Sequence, residues 1–431
     1  MQIKDGMKVY LDSVGCRLNQ SEIERMALQL LQSGHTLVGC PEESDLVIIN
    51  TCTVTAAAAS DSRNRTRRAH RRNPQAQIVL TGCWSELEPS TAAELPGVVN
   101  IIPNDGKDHL VPNLLSLPQD FFDNGLIARQ PIPGNRRRTR AFIKVQEGCD
   151  NHCTYCITTI ARGPARSVPL HRILRDVQAA VAGGVKEIVL TGVQLSAYGR
   201  DLTDSTSLST VIQAILTETD VPRIRISSLE PWRIADDFFL LWENPRLCRQ
   251  LHLPLQSGCS STLQRMGRPI RPAKFAQLVN TARQAIPGLA VTTDMIVGFP
   301  GEREEEFAES MRFMQAMCFA GAHIFTYSPR PGTRAADMSG VIPADIAHAR
   351  SQQLREVAAR SAQAYRSQFL GETLEVLWET QRGSSHNGYQ FTGLTDNYLR
   401  VFTDCDRDIS NTLTDVCLLE IKGEEIHAEL L

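Results

Sequence analysis

Cys149, Cys153 and Cys156 fall within the ten-residue segment EGCDNHCTYC, close enough for three thiolates to share one inorganic centre. Structural zinc takes four ligands, commonly from two Cys-x-x-Cys pairs, and the chain has no second such pair. An iron-sulfur cubane held by only three cysteines leaves one iron open, and an open iron can bind and reduce a substrate. Zinc, or buried thiols without a metal, are the plainer alternatives. A second set is dispersed: Cys16, Cys52 and Cys83 stand in VGC, NTC and TGC, each one to three residues past a strand-like run. One buried cysteine means little, but three at the ends of three parallel strands share one sheet edge and can hold a second metal centre. Gly192 and Gln194 (in TGVQ), Glu230, Gln256 and Gly258 also follow strand-like runs. They are candidates for a cofactor rim, with a turn or cap role as the bland reading; at Gly192 the missing Cβ would let backbone approach a ligand. Cys40, Cys248, Cys259, Cys318, Cys405 and Cys417 lack such placement and read as ordinary core or surface thiols.

The elements that must carry these residues follow from hydrophobic pattern. A strand at Val9 to Ser13 leads into a helix through about Gln32, for which Ser21 and Glu24 form a capping box, and Gly34 stops it. Runs at Asp45 to Asn50 and Gln77 to Thr81 flank an Ala- and Arg-rich helix, giving β-α-β-α-β and a doubly wound parallel sheet. Pro118, Pro131, Pro133 and Gly134 punctuate a linker. Six further strand-like runs follow, at Ala141 to Val145, Val185 to Leu190, Arg223 to Ser227, Gln250 to Leu253, Ala290 to Val297 and Ala322 to Thr326, with helical patterns between them. That repeat predicts a partial (β/α)6 barrel with its chemistry at the strands' C-terminal ends. From Phe369 short alternating segments, Thr373 to Trp378 and Tyr398 to Phe402 among them, predict a small antiparallel β-barrel. The α/β chain thus divides into 1–130, 131–368 and 369–431.

Length and composition agree, since 431 residues with 42% hydrophobic and 22% charged side chains suit about three globular domains. A net charge of -3 excludes a histone-like protein. Charge is uneven, because residues 369–431 hold 4 basic and 12 acidic side chains, net -8, against 41 and 36, net +5, in the rest. The opposite bias occupies RNRTRRAHRR, where six arginines in ten residues meet no acid. On a helix Arg63, Arg67 and Arg71 make one row beside Arg68 and Arg72, a repulsive arrangement unless a polyanion meets it. A merely solvated face is the alternative. Arg136, Arg137, Arg138 and Arg140 form a second cluster in the linker. No signal peptide or membrane-length apolar run is visible, so a cytoplasmic protein is expected, and its 12 cysteines are expected to serve as ligands or catalytic groups rather than disulfides.

The spacing Cys-x3-Cys-x2-Cys, with Tyr155 before the last cysteine, resembles the radical S-adenosylmethionine (SAM) superfamily, and TGVQ resembles its methionine-binding turn. Over nearly its whole length the chain resembles the methylthiotransferases, through GCRLNQSE, NTCTVT, EGCDNHCTYC, SSLEP, LHLPLQSG and TTDMIVGFPGE. These look most like the branch that modifies threonylcarbamoyladenosine in tRNA. The resemblance implies an N-terminal methylthiotransferase domain, a radical SAM barrel and a C-terminal TRAM barrel. It implies two 4Fe-4S clusters, an auxiliary one on Cys16, Cys52 and Cys83 and the SAM-cleaving one on Cys149, Cys153 and Cys156. It further implies SAM bound near Tyr155, Gly192 and Gln194, with Glu230, Gln256 and Gly258 expected on the same rim from their strand-end placement, and an electron donor of flavodoxin or ferredoxin type; the charge of the arginine helix points to tRNA as its partner. In this chemistry SAM yields a radical that takes hydrogen from an unactivated carbon, and the auxiliary cluster holds or supplies the sulfur. Two departures stand out. Ile157-Thr158-Thr159-Ile160 replaces the usual Pro and Tyr before Ala-Arg-Gly, and the acidic tail suits a basic ribosomal-protein substrate better than RNA. A non-catalytic iron-sulfur protein that binds RNA is the reading from another class.

Overall fold

A computed structural model of the chain describes residues 6–118, 121–122, 127–133, 139–203, 206–385 and 388–431. Of the linker arginines only Arg140 is among them; Arg136, Arg137 and Arg138 lie outside the described residues. One compact unit comprises 1–150, 157–185 and 191–193, and a second comprises 151–156, 186–190 and 194–431.

In the first unit β1 (Lys8–Ser13), β2 (Thr36–Leu37), β3 (Leu46–Thr51), β4 (Gln77–Gly82) and β5 (Val98–Ile102) form one sheet. Its order is β2-β1-β3-β4-β5, and the neighbours run parallel. This is the doubly wound order whose direction reverses between β1 and β3, the place where such sheets open a ligand crevice. Every residue of β3 is buried. Leu46 and Ile48 pack with Val9, Leu11, Ile23 and Leu30 on one face, and Val47 and Ile49 pack with Ile78, Leu80 and Trp84 on the other. A strand covered on both faces reads as an unbroken apolar run, which is why this one is visible in the sequence. The two edge strands β2 and β5 extend the sheet beyond the β-α-β-α-β reading.

The first helix differs from expectation at its start. It spans Arg17–Gln32 with Cys16 as N-cap, so Ser21 and Glu24 lie inside it, buried, and cap nothing. Gly15, at φ +92°, turns the chain so sharply that the helix can begin directly after Cys16, and Glu24 instead pairs with Arg129 at 2.9 Å. Further along this unit, β6 (Arg140–Lys144) precedes a short antiparallel pair, β7 (Gln146–Glu147) with β8 (Arg166–Ser167).

In the second unit β9 (Glu187–Thr191) pairs in parallel with β10 (Arg223–Ile226), and β11 (Gln250–His252), β12 (Ala290–Val297) and β13 (Gly321–Thr326) form a parallel series. A parallel bridge between Ser228 and His252 leads from β10 to β11. All six strands of the barrel repeat are present, the first of them being β6. The tail closes as an antiparallel-rich barrel of β14 (Thr373–Ser385), β15 (Gly388–Thr395), β16 (Arg400–Cys405), β17 (Leu413–Lys422) and β18 (Glu425–Leu430), ordered β14-β15-β16-β18-β17. Among the described residues no helix is long and apolar enough to cross a membrane.

Candidate active site

Cys16 follows β1 by three residues, and Cys52 and Cys83 directly follow β3 and β4. The parallel sheet therefore brings all three to one edge, two of them at the switch point. The loops approach one another closely. A Cβ on Gly15 would lie 2.4 Å from Cys52 Sγ, and one on Gly82 (φ +101°) would lie 2.3 Å from the Thr51 carbonyl oxygen. Asn19 Nδ2 donates to the Val14 and Thr51 carbonyls at 2.8 and 3.0 Å, which ties the Cys16 and Cys52 loops together. Ser62 Oγ accepts from Cys52 N–H at 3.0 Å, and Ser85 N–H donates to Thr51 Oγ1 at 3.1 Å.

Cys52 and Cys83 are buried, while Cys16 still presents surface to solvent. Protein nonetheless surrounds Cys16 and burial pushes its thiol up, the combination expected of a residue lining a concavity. Burial likewise raises the Cys52 thiol, to about 11. A cluster would supply the positive charge that stabilises thiolates. Cys16 caps the 16-residue helix, whose N-terminal N–H groups favour a thiolate. Among the described residues no three His, Cys, Asp or Glu side chains are placed to close on a single metal ion. A cubane makes no such demand, because its cysteines reach different irons. Three thiols at one sheet edge are a donor set that an iron-sulfur cluster can take.

The segment carrying Cys149 is equally constrained. Gly148 has φ +69°, and a Cβ there would fall 1.8 Å from the Pro164 carbonyl oxygen. Cys149 N–H donates to the Gly163 carbonyl at 3.1 Å. Buried Gln146 donates to the carbonyls of Glu147 and Gly148 at 2.8 and 2.9 Å and accepts from Val193 N–H at 2.9 Å. It thereby fixes the turn at Gly192 beside the start of the cysteine loop, a role that sequence reading missed.

In the second unit the tip of the loop is pinned by Thr154, whose N–H donates to the Met266 carbonyl at 2.9 Å and whose hydroxyl donates to the Arg265 carbonyl at 2.9 Å. Tyr155 packs edge-on against Phe299, ring centroids 6.4 Å apart, in an apolar cluster with Met266 and Tyr327. Arg268, also unforeseen, reaches Cys153 Sγ at 4.0 Å and stacks 4.4 Å over the Trp232 ring. Glu230 accepts from Ser196 N–H and Oγ, and burial raises its carboxyl. The turns after β9 and β10, which carry Gln194 and Glu230, pack together. Gln194 is buried. Gln256 adopts φ +82°, a costly backbone for a residue with a side chain, and is held by bonds to Asp294 and Ile296. Gly258 meets a helix: a Cβ there would lie 2.8 Å from Ser310 Cα, so close packing accounts for this glycine. Pro231, Trp232, Arg268, Arg271 and Lys274 line a cleft of about 1130 Å³.

The arginine helix spans Ala56–Arg72, and its charge is less uncompensated than the sequence implies. Arg72 pairs with Glu42, Arg65 bonds Asp61 and Asp12 at 3.0 and 2.8 Å, and Arg63 lies 5.8 Å over the Trp84 ring. Arg67, Arg68 and Arg71 are exposed, with no ion pair to an acid among the described residues. The tail's acidity also has an internal use. Glu375 pairs with Arg223 at 2.9 Å and Asp396 with Arg249 at 2.6 Å. These two acids are occupied by the protein itself, which weakens the inference of a basic protein substrate.

Comparison with known proteins defines the class first. Residues 143–314 match the Radical SAM superfamily, and residues 8–103 match the uncharacterized protein family UPF0004. The radical SAM methyltransferase TsrM from Kitasatospora setae, with cobalamin and a [4Fe-4S] cluster bound, superposes with TM-score 0.58 at 15% identity over 77% of each chain. The cobalamin-dependent SAM radical enzyme OxsB gives TM-score 0.51 at 10% identity over 81% of this chain and 56% of that one. At such identities the likeness is one of fold. In sequence the chain is 34% identical to threonylcarbamoyladenosine tRNA methylthiotransferase MtaB of Bacillus subtilis over 96% of this chain and 94% of that protein. It is 36% identical to the protein of that name from Thermotoga maritima, over 87% and 88%. It is also 31% identical to tRNA-2-methylthio-N(6)-dimethylallyladenosine synthase of Trichlorobacter lovleyi, over 98% and 99%. The chain belongs to the radical SAM methylthiotransferase family, whose members work with a 4Fe-4S cluster and SAM.

Proposed function

We propose that this enzyme adds a methylthio group to C2 of the adenine in N6-threonylcarbamoyladenosine, at the position beside the anticodon of tRNA. The observation that carries the reading is the meeting of Cys16, Cys52 and Cys83 on the switch-point edge of the first sheet, in a chain whose relatives include tRNA methylthiotransferases. Residues 1–130, 131–368 and 369–431 would then be the methylthiotransferase, radical SAM and TRAM-like domains.

Cys149, Cys153 and Cys156 would hold one 4Fe-4S cluster and Cys16, Cys52 and Cys83 a second. When bound, these clusters with SAM supply reductive C–S cleavage, hydrogen abstraction from carbon and the transferred sulfur, chemistry beyond any side chain. The protein's share is placement. Gln146 holds the turn at Gly192 against the cysteine loop, where bare backbone can approach SAM. Glu230, its Oε2 taken by Ser196, can accept a ligand hydroxyl through Oε1. Gln194, Gln256 and Tyr155 would line the SAM site with Glu230 in the second unit, and burial of Cys52 and Cys83 shields part of the sheet-edge site from water. Arg67, Arg68 and Arg71 would contact tRNA phosphates. A flavodoxin- or ferredoxin-type protein would supply electrons, in the cytoplasm.

Anaerobically reconstituted enzyme tests this with SAM, reductant and tRNA bearing threonylcarbamoyladenosine, isopentenyladenosine or neither. Methylthiolation confined to the first substrate supports the reading. Product only with the second overturns it.

A further inference from the structure

Arg162 ends the five-residue helix Thr158–Arg162, which begins two residues after Cys156, and its side chain is only 1% exposed. Its Nη2 donates to Asn19 Oδ1 at 2.5 Å, and that same oxygen lies 3.7 Å from Cys16 Sγ. Its helix packs against the Cys83–Leu87 helix. Arg162 therefore stands behind two of the three cysteines at the sheet edge. On its far side Nη1 bonds Glu22 Oε1 at 2.9 Å and Glu147 Oε1 at 2.8 Å. Each carboxylate already has a buried lysine beside it: Lys107 lies 2.9 Å from Glu22, and Lys144 lies 2.5 Å from Glu147. Lys144 is shared with Asp108 at 3.1 Å, and Arg25 reaches the same carboxylate at 3.5 Å, so Lys107, Lys144 and Arg25 stand against Glu22, Glu147 and Asp108, and the guanidinium of Arg162 is the surplus charge among these bonded groups. The thiols of Cys16 and Cys83 are the neighbouring groups that can use it.

We infer that Arg162 is a positioning residue for the three-cysteine site, a fixed buried cation that orients Asn19 toward Cys16 and compensates the negative charge of the centre these thiolates bind. This rests on the assignment of a cluster to Cys16, Cys52 and Cys83. Reduction adds negative charge to a cluster, so a nearby cation favours the reduced form and raises its midpoint potential, whereas a nearby anion lowers it.

The test uses the full-length chain with Cys149, Cys153 and Cys156 replaced by Ala, so that only the sheet-edge site can hold iron. Iron and sulfide content and the midpoint potential, from redox titration followed by electron paramagnetic resonance, are the readouts. In this background Arg162→Met is expected to lower the midpoint, Arg162→Lys to stay closer to the parent, and Glu22→Gln to shift it the opposite way. A residue that only supports the fold would not give opposite signs for the two charge changes. Should the Met variant lose its iron, Glu22→Gln decides, and a midpoint unchanged from the parent overturns the inference. Iron retained in every variant with no shift also overturns the role of Arg162 while leaving the cluster assignment intact. A parent chain that binds no iron overturns the assignment itself.

Discussion

Replacing Gly15 by Ala tests how closely the Cys16 and Cys52 loops are fitted together. Two costs can be separated. Gly15 sits at φ +92°, where an L side chain is strained by about 1–2 kcal/mol. The new Cβ would also lie 2.4 Å from Cys52 Sγ and 2.6 Å from Cys52 Cβ, about an ångström inside the roughly 3.5–4.0 Å at which such atoms normally rest. Relieving that overlap costs about 1–3 kcal/mol more and must displace the Cys52 sulfur. Gly34 supplies the control, having φ +79° and nothing within 4 Å of its added Cβ. Gly34→Ala should therefore show the backbone cost alone and keep its iron. Gly15→Ala should melt lower than Gly34→Ala, by about 2–4 °C for each additional kcal/mol in a unit of some 200 residues. It should also lose about half of the total iron, because one of two three-thiolate sites is disturbed. Thermal melts and iron analysis on anaerobically purified protein measure both effects. Equal melting temperatures and equal iron in the two variants would rule out the steric coupling, since they would mean that Gly15 is needed only for its backbone angle.

Substituting Cys149, Cys153 and Cys156 by Ala should abolish reductive SAM cleavage, whereas Ala at Cys16, Cys52 and Cys83 should leave cleavage measurable and remove the methylthio product; product from the second variant would make those thiols structural. Reversing Arg67 and Arg71 to Glu should weaken tRNA binding and flatten the dependence of log K on log salt by about one unit for each phosphate no longer neutralised. An unchanged slope in filter binding would exclude that helix face. Arg225 and Glu187 are both fully buried and bonded at 2.8 Å, so Arg225→Met, which strands the carboxylate, should cost about 3–5 kcal/mol. Arg225→Met combined with Glu187→Gln should recover part of that cost, and additive denaturation energies for the pair would disprove the coupling.

Much of the scaffold could be read from sequence because two of the strands that position the cysteines, β3 and β4, are buried on both faces. LVIIN in β3 and QIVLT in β4 are unbroken apolar runs, and the three cysteines follow such runs at short intervals. The edge strands were hidden for the converse reason. Thr36–Leu37 is two residues long, and Val98–Ile102 is only partly buried and interrupted by Asn100. The helix start was misplaced because a capping box is a local pattern, whereas Gly15 and Cys16 begin the helix for a tertiary reason, the close approach of Cys52. Arg72 looked free of acids for the same reason, since Glu42 lies 30 residues away in the chain. Gln146 and Arg162 carried no sequence signal, because the groups that define their roles include Val193 at 47 residues' remove and Asn19 at 143. Only folding makes them neighbours.

Methylthiolation of threonylcarbamoyladenosine can be read out in the cell by mass spectrometry of tRNA nucleosides from a strain lacking this gene. The 2-methylthio derivative of threonylcarbamoyladenosine should vanish while its unmethylthiolated precursor accumulates. The native chain should restore it, and the chain with Ala at Cys16, Cys52 and Cys83 should not. Undiminished 2-methylthio-threonylcarbamoyladenosine in the deletion strain, with loss of a different methylthiolated nucleoside or of a methylthiolated protein residue, would contradict the proposed function.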